Sequence, residues 1–153
     1  MGRDVRPPAG AEVIDLSDAT VMPGFIDMHT HITGHPSFGY SDHLLHEWPG
    51  YAAIVRVKNA RLTLLAGFTT IRNVGSDDFA DVALKQAIEA NIVPGPRMYV
   101  AAHSISITGG HCDRNGLRPD ALEEPGIEQG IANGVSQVRE AVRYQMKAGA
   151  DLT

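Results

Sequence analysis

Val21-Met-Pro-Gly-Phe-Ile-Asp-Met-His-Thr-His31 is the stretch that decides the fold. Pro23-Gly24 breaks the chain, and the residues after it form an extended run in which positions two apart share a face. We read residues 25–31 as the first strand of the main fold. In such a strand Phe25, Asp27, His29 and His31 face one way, and the two imidazoles can share a metal ion at about 2.0–2.1 Å. The plain alternative, two surface histidines at a strand end, carries equal weight for a bare His-x-His, because that spacing alone is a modest signal.

Two other histidine-rich sites share the spacing and are excluded by the residues after His31. A metallo-β-lactamase-like site reads His-x-His-x-Asp-His, whereas Thr33 and Gly34 stand at its fifth and sixth positions and His35 is displaced by one. A cupin site needs a glutamate a few residues on, and the next acidic residue is Asp42.

Working outward, Glu12-Val-Ile-Asp-Leu16 and Thr20-Val-Met22 read as two short strands at the end of a small β-unit. Downstream, apolar Leu45, Trp48, Ile54, Val55, Leu62 and Leu65 recur loosely at helical spacing, with Pro49-Gly50 expected to split the stretch and Gly67 to cap it. Phe68-Thr-Thr-Ile-Arg-Asn-Val74 reads as a second strand. Asp77-Asp78 are expected to cap a helix over residues 79–90, with Val82, Leu84, Ala87 and Ile88 buried. Met98-Tyr-Val-Ala-Ala-His103 reads as a third strand. A long polar, glycine-rich loop then leads to a helix over residues 135–148 that presents Val138, Val142 and Met146 on one face. Asp151-Leu-Thr153 reads as a strand just begun.

This β-α-β-α-β-α order predicts an α/β fold with parallel strands joined by helical crossovers. Each unit takes roughly 40 residues and an eight-stranded barrel about 250, so the 153 residues fit about the first three βα units of a (β/α)8 TIM-type barrel. The expected division is 1–22, the end of that small β-unit, and 23–153, the N-terminal half of the barrel.

Composition narrows the function classes. The chain is 43% hydrophobic and 20% charged, with a net charge of −5 and scattered basic residues, so no basic stripe is offered to nucleic acid. No apolar run reaches the length needed to cross a bilayer. The single cysteine, Cys112, rules out an intramolecular disulfide and a cysteine-only zinc site, and fits a reducing, cytoplasmic setting.

The stretch at residues 21–31 resembles the signature of the amidohydrolase superfamily, in which a β-sandwich segment leads through Pro-Gly into the first barrel strand. Ala66-Gly-Phe-Thr-Thr-Ile-Arg72 and Gly95-Pro-Arg97 are similar to its second and third strand regions. Thr108-Gly-Gly-His-Cys-Asp113 resembles the imidazolonepropionase and metal-dependent prolidase branch. The resemblance implies that His29 and His31 ligate a divalent metal, most often zinc, in a site completed by a later lysine, two histidines and an aspartate. Those residues are not in this sequence, and Lys147, in the preceding helix, does not replace the lysine.

The implied activity is hydrolysis of amide-type C–N bonds in a dipeptide, cyclic imide or related small amide. His111 is the candidate substrate-binding residue, weighed equally against a solvated loop histidine, and His103 is weighed toward the latter. Cys112 is expected to be passive and Asp113 to order the loop through backbone hydrogen bonds. Asn73 stands where the resembled pattern often has aspartate, which removes a charge. His35, His43 and His46, with Tyr40 and Trp48, are read as a partly exposed loop ahead of a pocket rim. The competing function is a non-catalytic half-barrel, and by either reading the isolated chain is expected to be inactive. Oligomeric state is left open.

Overall fold

The computed structural model describes residues 6–34, 42, 45–118 and 120–153. The expectations placed on His35, Tyr40 and His43 lie outside the described residues.

The elements are β1 (Phe25–Thr30), α1 (Pro49–Leu65), β2 (Phe68–Asn73), α2 (Ala80–Glu89), β3 (Arg97–Val100), a short 3-10 turn (Ile127–Gln129) and α3 (Val135–Ala148). The three strands form one parallel sheet in the order β1-β2-β3. Parallel neighbours joined by helices start a barrel in this way, because the sheet needs a helical layer over its outer face. The central strand is accordingly the most buried: Ile71 and Asn73 of β2 are 0% exposed. Ile71 packs in one core with Ile32, Ala60, Val82, Leu84, Met98 and Val100.

Several local expectations are corrected. Residues 6–24 take no regular secondary structure and are exposed throughout, so the two short strands are not formed. A strand needs a ladder partner, and no described segment pairs with these. Pro49-Gly50 opens α1 instead of splitting it, since proline at the first helical position loses no hydrogen bond. The large apolar residues of that region, Trp48, Ile54, Leu62 and Leu65 among them, are exposed, and α1 buries Ala52 and Ala60. Small side chains bring the helix close to the sheet. On α3 the buried positions are Ala141 and Gln145, while Val138 and Met146 are exposed. Gly67 and Gly149 follow their helices with φ of +94° and +112°, as C-terminal glycines do.

Asp77 and Asp78 do not cap α2. Its N-cap is Phe79, in the left-handed region at φ +54°. β3 stops at Val100, short of His103, because Ala102 also adopts a left-handed φ of +60°. Residues 151–153 form no strand, although the Asp151 N–H donates to the Val100 carbonyl at 2.7 Å. No helix among the described residues is long and apolar enough to cross a membrane.

Candidate active site

The carboxyl ends of β1, β2 and β3 carry the candidate residues. The His29 and His31 rings lie with centroids 5.6 Å apart and planes at 67°. Two imidazoles on one tetrahedral ion would have ring centres roughly 5 Å apart, so the spacing of the pair matches that of two ligands of a shared cation. Both side chains are exposed, which leaves their nitrogens accessible.

The register with β2 shifts between Asp27, opposite Ile71, and Thr30, opposite Asn73, so β1 bulges at Met28 and His29. The Asp27 carboxylate accepts the His29 N–H at 3.0 Å, a local bond that competes with the ladder. Arg72 donates through Nε to the Met28 carbonyl within the bulge. Bulges re-aim side chains at the rims of barrels, and His29 sits within this one.

Behind the pair lies a buried polar network. Asn73 accepts the Ile32 N–H on Oδ1 at 2.8 Å and donates through Nδ2 to the Gly75 carbonyl and to Asp81 Oδ2. Asp81 is 0% exposed and also accepts the Ala102 N–H at 3.1 Å. Burial pushes its carboxyl above the ordinary carboxylate range, and the donors from Asn73, Ala102 and Val82 offset part of that rise. An aspartate at 73 would lack both donors and face a second carboxylate. The missing charge at this position is thus explained by Asp81, which lies in the first turn of α2.

His103 proves structural. Its Nε2 accepts the Asp78 N–H at 3.2 Å, so Nδ1 carries the proton and donates to Gln145 Oε1 at 3.3 Å. The same Gln145 oxygen receives the His103 N–H at 3.1 Å, and Phe79 stacks edge-on at 4.5 Å between centroids. With both ring nitrogens engaged, His103 is not available as a ligand. Gln145→Leu is expected to cost about 2 kcal/mol by stranding these donors, measured as a lower urea midpoint at unchanged slope.

The long loop folds back on itself. Ser106 and Ile131 form a parallel bridge, and Asn133 exchanges hydrogen bonds with Thr108. Asp113 orders the turn as its chemistry predicts, accepting the Gly109 N–H at 2.7 Å and the Arg114 N–H at 2.8 Å. This brings His111 to the wall of a cleft of about 620 Å³ that His31, Arg56, Asp77, His103 and Cys112 also line. Gly75 keeps the floor open: a Cβ there would lie 3.6 Å from His31 Cε1 and would overlap Ser104 Oγ. His46 lies apart, its Nδ1 3.3 Å from the Asp42 carbonyl, and Trp48 is 80% exposed. Among the described residues no three His, Cys, Asp or Glu side chains are grouped to hold a metal ion.

A three-stranded parallel sheet joined by helices, with polar residues gathered at its strand ends, matches part of a TIM-type barrel, in which active sites lie at those ends. The chain belongs to the amidohydrolase family, whose sequence profile matches residues 20–153. It is 30% identical over 150 residues to the ochratoxinase of Aspergillus niger, covering 86% of this chain and 30% of that protein. A Xaa-Pro dipeptidase crystallised with bound methionine is 35% identical, with a TM-score of 0.84 over 96% of this chain and 36% of the other. A prolidase complexed with N-methylphosphonate-L-proline is 33% identical, with a TM-score of 0.74 over 97% of this chain and 36% of the other. The chain therefore spans about a third of the length of these relatives.

Proposed function

We propose that this chain supplies the first two cation-binding histidines and one wall of the substrate cleft of a metal-dependent hydrolase that cleaves the C–N bond of a dipeptide or similar small amide. The observation that carries this reading is the adjacency of the His29 and His31 rings at the strand ends, with His31 also lining the cleft.

When bound, a divalent ion such as zinc lowers the pKa of a water toward 7 and polarises the amide carbonyl. This chain's own residues do the rest of what can be assigned to it. His29 and His31 hold the ion from one side. His111, exposed on the cleft wall, donates or accepts a hydrogen bond to the bound amide and orients it. Arg56, half-buried and anchored by its Nε on the Thr33 carbonyl at 3.3 Å, is the cation of the wall and suits a substrate that ends in a carboxylate. The dipeptide assignment rests on the prolidase and Xaa-Pro dipeptidase likenesses, and the ochratoxinase likeness widens it to other amides.

The test is complementation: the chain is joined to the later strands of the similar Xaa-Pro dipeptidase and assayed against Xaa-Pro dipeptides. Hydrolysis that disappears on chelation and returns with a divalent ion is the expected result. A folded chimera that binds the dipeptide without cleaving it, with or without the ion, overturns the reading in favour of a non-catalytic half-barrel.

A further inference from the structure

The backbone that presents His31 is held from several sides, and one residue, Ile32, is gripped at both its N–H and its carbonyl. The Ile32 N–H donates to Asn73 Oδ1 at 2.8 Å from one side, and the Ile32 carbonyl accepts from Asn59 Nδ2 at 3.0 Å from the other. Asn59 also donates to the Gly34 carbonyl at 3.1 Å, closing the turn in which the Gly34 N–H returns to the His31 carbonyl at 3.0 Å. On the other flank of His31, the Thr30 carbonyl accepts the Val74 N–H at 3.0 Å and the Thr30 hydroxyl donates to the Arg72 carbonyl at 3.2 Å.

The geometry points to Asn59 and Asn73 as positioning residues for the cation site: a pair of amides, one from α1 and one from β2, that grips the backbone of Ile32, the residue following His31, and so sets the direction of the His31 imidazole. This inference rests on the proposed role of His29 and His31.

The chemistry of the pair is specific to amides. Asn73 spends both Nδ2 donors on Gly75 and Asp81, which fixes its Oδ1 toward Ile32 and leaves no freedom to flip. Asn59 must donate to two carbonyls, which a carboxylate cannot do. Neither residue touches the imidazoles through any described hydrogen bond, so their effect on a bound ion passes through the backbone. Groups that orient metal ligands from behind typically change affinity by about ten- to a hundredfold when removed.

The experiment is a zinc titration of the full chain, read from the imidazole resonances of His29 and His31 by NMR. It is run on the parent, Asn59→Ala, Asn73→Ala and a Val82→Ala control that weakens the same core without touching the clamp. The clamp variants are expected to bind zinc about ten- to a hundredfold more weakly, and Val82→Ala to bind like the parent while unfolding at lower urea. Asn59→Ala keeps the test decisive should Asn73→Ala not fold, because alanine is a better helix former than asparagine at this half-buried position.

Equal zinc affinity in the folded clamp variants and the parent overturns the inference alone. Equal weakening in Val82→Ala also overturns it, by showing general loosening. A parent whose His29 and His31 resonances ignore zinc overturns the inference together with the function on which it rests.

Discussion

Replacing both His29 and His31 with alanine is expected to abolish divalent-cation binding while leaving the fold in place. Both side chains are exposed, and neither ring makes a described hydrogen bond to the rest of the chain, so the change in folding stability should stay within about 0.5 kcal/mol. The cation response should vanish because the two imidazoles are the nitrogen donors that this part of the site offers, 5.6 Å apart between ring centres. Single substitutions leave one imidazole and should weaken binding without erasing it. In the barrel-completed chimera the double variant should lose at least about a hundredfold in hydrolytic rate, since activation of water and carbonyl by the ion supplies several kcal/mol. Calorimetric titration with zinc, together with circular dichroism of the metal-free protein, makes the measurement. Undiminished zinc affinity in the double variant would falsify the assignment.

The second large effect concerns stability and pH. Asp81 is wholly buried and gathers N–H groups from Asn73, Val82 and Ala102. Asp81→Ala strands those donors and is expected to cost about 3 kcal/mol or more at neutral pH, each orphaned group costing roughly 1–3 kcal/mol. That is a large share of the roughly 5–15 kcal/mol by which ordinary domains are stable.

Titration gives a separate signature. Burial raises the Asp81 carboxyl above its ordinary 3.8, so the folded chain holds this proton more tightly than the unfolded chain does. The associated stability is fully present below pH 3.8 and is lost as pH rises through the raised folded value. Asp81→Asn carries no such proton. The stability of the parent relative to this variant should therefore fall across the window just above pH 3.8, by about 1.4 kcal/mol for each pKa unit of the shift. Urea unfolding of both proteins at a series of pH values checks this. A difference that stays constant across that window would remove the titration account, and an alanine variant as stable as the parent would remove the structural one.

The same network shows where reading the residues in order stops being sufficient. Asn73 stands out in the sequence only as a departure from a pattern, and nothing in the sequence singles out Asp81. Their pairing needs β2 and α2 to be folded against each other. Likewise Gln145 falls on α3 beside the apolar positions expected to face inward, yet it is buried there together with Ala141, because His103 presents a backbone N–H and a ring nitrogen that leucine or valine cannot satisfy.

β-Branched runs, proline–glycine breaks and apolar spacing marked β1, β2, β3 and the helices between them, because these depend on local backbone preference and on the period with which side chains meet a surface. The short strands at residues 12–16 and 20–22 failed for the complementary reason: a strand exists only when something pairs with it, and no described segment does.

Sequence by itself determined the α/β order, the His-x-His at the end of the first strand and the ordering role of Asp113, since each depends on local backbone preference or spacing. Tertiary structure alone decided that β1 bulges at His29, that His103 is held as a structural imidazole, and that His111 joins His31 along one cleft. Those outcomes turn on which distant groups complete each donor and acceptor, and that is settled only when strands, helices and loop are packed together.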